Sequence, residues 1–412
     1  MTVQLLRGGR LASGEVVDVR VDADTVTAVV PADGGSGLDR AGAAVTDLTG
    51  YVLCGAFAEP HTHLDKVFTA DRVTGHDGTL RGAMERYATV LGEASDADVR
   101  ARAHRALRLL VGHGATAVRS HVGCGRLLGV RAVESLVRVR SEAADVVDLQ
   151  LVAHVGPPGV GESWRSHRAR LHDALDAGAD VVGGNPSIEP DPVAAMEECF
   201  AVAVERGRPV DFHVDETTEP AVLTLRHLAR LARQADVPVT ASHCVSLGQQ
   251  DPALAADVAA EVAEAGVQVV ALPATNLYLQ GRGGGPSTRG LTAIDTLRAA
   301  GVRCAAGGDN VRDPFNPAGR LDPLETAALV VTAGHQAPRD AWHMVGRDAR
   351  AVLGLPAAGP RVGDRADLVA VRADSLEDAL ALAPAERIVW RAGRVVSRIA
   401  VTRRGPVHEV GA

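Results

Sequence analysis

YVLCGAFAEPHTHLDK, residues 51–66, sets an apolar run directly before two histidines spaced two residues apart. The run is far shorter than the ~18 residues of a membrane span and reads as a buried strand ending near His61. Side chains alternate faces along a strand, so His61 and His63 share a face. The same texture recurs. GATAVRSHV, VDLQLVAHV, ADVVGGNP, RPVDFHVDE, VPVTASHC, VQVVALPAT and VRCAAGGDN follow in order between residues 114 and 310, each a short apolar run between turn signals.

Helical patterns separate these runs, among them DVRARAHRALRLLVGHG (98–114) and DPVAAMEECFAVAVERG (191–207), both closing on glycine. Eight strand–helix units over about 300 residues predict an α/β fold of the (β/α)8 TIM type, with its site at the C-terminal strand ends. A doubly wound open sheet is disfavoured, because no G-x-G-x-x-G follows the first strand. Residues 3–30, and the later stretches ADLVAVRA and ERIVWRAGRVVS, read instead as short β segments, the last turning at Ala392-Gly393. The expected organisation is a composite β-sandwich domain from residues 1–54 and 355–412, around a barrel of residues 55–354.

Composition narrows the function. The chain has 46% hydrophobic and 23% charged residues, and its 43 basic against 51 acidic residues leave a net charge of -8. Without a basic block or a long apolar run, neither a nucleic-acid nor a membrane partner is expected. The N-terminus has no secretory h-region, so a cytoplasmic setting is expected. Five scattered cysteines without a C-x-x-C pair indicate neither disulfides nor a cysteine metal site. Lys66 is the chain's only lysine.

Polar residues gather at the ends of the predicted strands: His61 and His63, His121, His213, His243 and Asp309. His61, His63, His213 and Asp309 would give a divalent ion three nitrogens and one oxygen, with room for a water. Such an ion brings the pKa of water to about 7 and supplies hydroxide for hydrolysis. Glu216, three residues after His213, is placed to shuttle a proton, and His243 with Asp309 to orient the attacking water. A lone H-x-H is commonly structural, and His121 and His154 read equally well as buried structural histidines.

EPHTHLDK, DFHVDE, TASHC, LYLQGR and GGDNVRDPFNPAG, in this order, closely resemble the bacterial cytosine deaminase branch of the amidohydrolase superfamily and related triazine-ring hydrolases such as N-isopropylammelide amidohydrolases. The resemblance spans about residues 50–330. It implies one divalent metal, zinc or iron, on His61, His63, His213 and Asp309, with Glu216 as general acid/base and His243 activating water. It puts Phe315 over the substrate ring and Gln280 beside the pocket. The predicted fourth strand, ADVVGGNP, lacks the lysine that bridges two metals in many relatives, which favours a single ion.

Two departures bear on the substrate. AHVGPPGV (153–160) lacks the glutamine that reads the pyrimidine edge in cytosine deaminases, and Asn310 stands where a carboxylate usually follows the metal aspartate. An amide both donates and accepts, so the preferred ring edge changes. His154 and Asn185 are candidate replacements, and Lys66 either contacts substrate or pairs with a carboxylate. The expected activity is metal-dependent hydrolytic deamination of a small N-heterocycle, a cytosine-like aminopyrimidine or a related ring, by a homo-oligomer. The alternatives are hydrolysis of a triazine alkylamine or a cyclic amide C–N bond, and a non-catalytic binding protein on the same fold.

Overall fold

The computed structural model describes residues 3–32, 38, 42–75, 77–156, 164–282 and 288–402. The chain divides into two compact units, one of Met1–Ala56, Val111–Gly114 and Pro356–Ala412, the other of Phe57–Leu110 and Ala115–Leu355. The first unit begins with β1 (Val3–Arg10), β2 (Val16–Asp22), β3 (Thr25–Pro31), β4 (Ala44–Asp47) and β5 (Tyr51–Gly55). The second holds β6 (Phe57–Thr62), β7 (Ala115–Gly123), β8 (Asp148–Val155), β9 (Val181–Gly184), β10 (Val210–Val214), β11 (Val239–His243), β12 (Gln268–Ala271) and β13 (Cys304–Ala306). The first unit is completed by β14 (Leu368–Arg372), β15 (Arg387–Arg391) and β16 (Arg394–Ile399).

The apolar run before His61, expected to be one strand, is two. Tyr51–Gly55 pairs antiparallel with β14, whereas Phe57–Thr62 is the first barrel strand. Both strands are buried, so hydropathy runs through the break without a signal. The backbone passes close to its neighbours there: a Cβ at Gly55 would lie 2.3 Å from the Ala358 carbonyl oxygen.

The barrel strands are hydrogen-bonded in sequence order and parallel throughout. Closure comes from a parallel bridge of Thr62 to Asp309, with the Asp309 N–H donating to the His61 carbonyl at 3.0 Å. Every residue of β6 and β10 is buried, which explains continuous apolar runs where alternation would mark a half-exposed strand. Helices cover the sheet between strands. The helix Pro192–Arg206 starts on the Asp191 side chain, which accepts from the Ala194 N–H, and stops at Gly207 with φ 57°.

In the first unit, β1 links its two halves: it pairs with β2 along its length and with β5 at Arg10–Val52. Val17, Val19 and Val21 of β2 share a core with Leu53, Leu368, Ile388 and Trp390, so the mixed sheet folds over one apolar interior. The last hairpin turns at Ala392 and Gly393, both at positive φ. No helix among the described residues is long and apolar enough to cross a membrane. All five cysteines are buried and none forms a disulfide.

Candidate active site

The C-terminal ends of five strands bring histidines to one point. His61 is the next-to-last residue of β6 and His63 directly follows the strand, His121 lies on β7, His154 on β8, His213 on β10 and His243 on β11, and Asp309 follows β13. His63 Nε2 lies 3.3 Å from Asp309 Oδ1 and 3.2 Å from His213 Nε2, and His61 Nε2 lies 3.6 Å from the same Asp309 oxygen. Two ligands each about 2.1 Å from one tetrahedral ion stand roughly 3.4 Å apart, so these spacings fit a single cation. His61 Nε2 and Asp309 Oδ1 are buried without a hydrogen-bond partner, as atoms reserved for an ion would be. His121 joins the cluster too, with a ligand atom within 4.8 Å of those of His61 and His213 and its ring stacked 3.9 Å from that of His61.

Hydrogen bonds fix which nitrogen is free. Ser242 Oγ donates to Asp211 Oδ1 at 2.9 Å, so its oxygen accepts from His61 Nδ1, also at 2.9 Å. That leaves the His61 lone pair on Nε2, facing the cluster. His243 Nδ1 donates to Asn276 Oδ1 at 2.8 Å, and its Nε2 is buried and unpaired. Burial, reinforced by the neighbouring imidazoles, holds His61 and His213 well below the usual histidine range, in the neutral form a cation requires.

Glu216 reaches the cluster through a local turn. Asp215, at φ 51°, turns its carboxylate back to accept from the Thr224 and Leu225 N–H groups at 2.8 and 3.0 Å. The next side chain, Glu216, therefore lines the cavity. Asn185 Nδ2 donates to Glu216 Oε2 at 3.2 Å, and Glu216 Oε1 lies 3.8 Å from His243 Nδ1. Burial, with a contribution from Asp309, pushes the Glu216 carboxyl well above the usual carboxylate range. His243 and Asp309 also sit at positive φ, 73° and 59°. Such backbones cost of order 1–3 kcal/mol each and persist where surrounding bonds hold them, as Thr62 Oγ1 holds the Asp309 carbonyl at 2.8 Å.

Beneath this layer lie groups that the sequence reading passed over. Glu59 accepts from the His61 N–H at 3.1 Å and from the Gly308 N–H at 3.0 Å, and burial pushes its carboxyl up to about 8. Asp211 holds Arg119 Nη1 at 2.8 Å and lies 3.7 Å from His121 Nε2. The available signal was period two: Glu59 and Asp211 stand two residues before His61 and His213, on the same strand faces.

The cavity above the cluster has a volume of about 350 Å³. Asn310, Phe315, His154, Lys66 and Asn185 all line it. Gln280 is not among the lining residues; its Nε2 donates to the Glu216 carbonyl at 2.9 Å. Lys66 Nζ stands 3.0 Å from His63 Nδ1, and 5.4 and 5.5 Å from the ring centres of Tyr87 and Phe315. Of the stretch 153–160, residues 157–160 lie outside the described residues.

An amidohydrolase family model matches residues 69–397. Pterin deaminase of Rhizobium rhizogenes is 35% identical over 363 residues, 86% of this chain and 83% of that protein. N-isopropylammelide isopropyl amidohydrolase of a Pseudomonas species is 25% identical, with 85% of this chain and 87% of that one covered. The structure of 5-methylcytosine deaminase from Klebsiella pneumoniae with 5-fluorocytosine superimposes with a TM-score of 0.89, at 26% identity and over 98% and 100% of the two chains. Family match, barrel and strand-end cluster agree with the resemblance read from the motifs: the chain belongs to the amidohydrolase family, in its cytosine deaminase-like branch, and is a hydrolase of carbon–nitrogen bonds.

Proposed function

We propose that this enzyme is a metal-dependent hydrolytic deaminase of a small amino-substituted N-heterocycle, with a fused pterin-type ring as the first candidate. The observation that carries the reading is the buried Glu216 carboxyl, raised well above its usual range, beside a cluster of unpaired imidazole and carboxylate atoms. A proton donor next to a cation site is what loss of an amine from a ring requires. The pterin deaminase relative supports a fused ring.

His61, His63, His213 and Asp309 would hold one divalent ion, zinc or iron. Bound there, such an ion would make hydroxide available at neutral pH by lowering the pKa of water. His243 Nε2 accepts a hydrogen bond from the attacking water and sets its direction. The water oxygen adds to the ring carbon that carries the amine, while Glu216 passes its proton to the adjacent ring nitrogen. Glu216 then takes one water proton and delivers it to the amine as the C–N bond breaks, and recovers its own proton from the hydroxyl left on the ring carbon, giving a ring carbonyl, ammonia and the protonated carboxyl it began with. Asn185 and Gln280 hold the Glu216 side chain and backbone in place, and Phe315, Tyr87, Asn310, His154 and Lys66 surround the ring.

A cytoplasmic homo-oligomer is also expected, and light scattering on the purified protein tests the oligomeric state. The activity is tested by loading the protein with zinc or iron and assaying ammonia release from pterin, cytosine, 5-methylcytosine and ammelide. Ammonia with the ring intact supports deamination. Release of an alkylamine or opening of the ring replaces it with one of the other C–N hydrolyses.

A further inference from the structure

The hydrogen bonds around Asn310 decide which of its two amide atoms meets the cavity. Asn310 Nδ2 lies 2.8 Å from Asp313 Oδ2, and Asp313 has no exposed surface. The other oxygen of Asp313 accepts from the N–H groups of Phe315 and Asn316, at 2.9 and 3.1 Å. The Asn310 backbone is pinned as well, its N–H donating to Thr275 Oγ1 at 3.3 Å. An ionised carboxylate already engaged by two backbone donors offers only an acceptor to a third neighbour, so the amide turns its NH2 to Asp313. Its Oδ1 is left on the other side, where Asn310 lines the cavity. Among the described residues none donates to that oxygen.

The sequence alone allows Asn310 either polarity toward substrate; the structure allows one. We propose that Asp313 is a positioning residue that holds Asn310 as a neutral hydrogen-bond acceptor, so that the preferred substrate presents a ring N–H, a lactam edge, to Asn310. This rests on the deaminase reading of the same site. A ring with a bare nitrogen at that edge would set lone pair against lone pair and leave a desolvated acceptor unpaired. Sites built around one hydrogen bond reject the analogue that lacks it, here by roughly 10- to 100-fold in kcat/KM.

The test compares pterin, whose lactam carries an N–H, with its O4-methyl lactim ether, whose corresponding nitrogen is bare. Both are assayed at pH 8, since burial pushes the Asp313 carboxyl up to about 7 and ionises it fully only above that. In Asp313→Asn the side-chain oxygen stays with the Phe315 and Asn316 N–H groups, and the new NH2 faces Asn310. Asn310 must then offer Oδ1 to it and turn its own NH2 into the cavity. The wild type is expected to favour pterin by 10-fold or more, and the variant to lose or invert that ratio, chiefly through KM. Asn310→Ala, which removes the acceptor, is expected to bring the ratio near one and guards against misfolding of the first variant.

Equal slowing of both compounds by both variants, with the ratio kept, overturns the inference and leaves Asp313 as a turn residue. A wild type that does not discriminate overturns it too. If wild type releases ammonia from neither compound, the deaminase reading fails, and calorimetric binding of the same pair decides the inference separately. A wild-type preference for pterin that the variants abolish supports it; equal affinities, or no binding, overturn it.

Discussion

Ser242 Oγ lies 2.9 Å from His61 Nδ1, at the head of a buried chain that runs on through Asp211 to Arg119. The hydroxyl fixes the proton of His61 on Nδ1 and aims Nε2 at the cluster. Groups that orient a ligand in this way are typically worth 10- to 100-fold in metal affinity. Ser242→Ala is therefore expected to weaken zinc binding by that factor while the protein stays folded, as measured by competition with a chelator. An unchanged affinity would remove the hydroxyl from this role.

Glu216→Gln keeps the shape of the side chain and its contact with Asn185 but has no proton to pass. Bound metal is expected to equal that of the wild type, with kcat lower by about 10²- to 10⁴-fold. Metal analysis and steady-state kinetics on one preparation check both halves. Full turnover with metal in place would assign the proton transfer elsewhere.

Lys66 Nζ meets His63 Nδ1 at 3.0 Å. Ligation of an ion through Nε2 keeps a hydrogen on Nδ1, so two donors would then face each other. The ammonium is expected to turn to the cavity, between Tyr87 and Phe315, and donate to substrate. Lys66→Met preserves the apolar stem without the charge. Hydrogen bonds to charged groups contribute about 1.5–3 kcal/mol, so KM should rise at least about 10-fold with metal content and kcat little altered. A KM equal to the wild-type value counts against contact with substrate.

The barrel was legible because its strands are buried on both faces and end in polar residues of one chemical kind. His61, His63, His213 and Asp309 could be singled out from strand position, and the structure does bring them together. Three things were not legible. The break between Gly55 and Phe57 lies inside a run that is apolar on both sides, since two different sheets bury it. Glu59, Asp211 and Ser242 carry no motif of their own and gain meaning only once the residues two or more positions away are seen to converge. Gln280 was expected beside the pocket, but whether its amide meets ligand or backbone depends on tertiary contacts that no local pattern encodes.

Glu189 is buried, with Oε2 lacking a hydrogen-bond partner, and burial pushes its carboxyl up to about 7. The unfolded chain ionises it near the ordinary value of about 4.3, so between these limits the folded state binds more protons. Its contribution to stability is full below about pH 4.3 and is lost as pH rises toward 7. Glu189→Gln removes that dependence. The melting temperature of the variant, relative to wild type, should be higher at pH 8 than at pH 5. Parallel melting curves for the two proteins across this range would rule out the assignment.

Gly307 and Gly308 precede Asp309 where the barrel closes, and Glu59 explains why both lack side chains. A Cβ at Gly307 would lie 2.6 Å from Glu59 Oε1, 3.2 Å from Leu272 Cδ2 and 3.3 Å from the His61 carbonyl oxygen. Glu59 cannot simply withdraw, because it accepts from the N–H groups of His61 and Gly308 and so ties the first strand to the last. Gly307→Ala should therefore move Asp309 relative to His61 or break these bonds, at about 1–3 kcal/mol for the overpacking alone. Both outcomes lower thermal stability and metal affinity together. Gly92→Ala, where the added methyl would meet no atom within 4 Å, is the control and should leave both close to wild type. If Gly307→Ala melts with the control and binds zinc as tightly, the barrel closure tolerates a side chain there and Glu59 is not what excludes it.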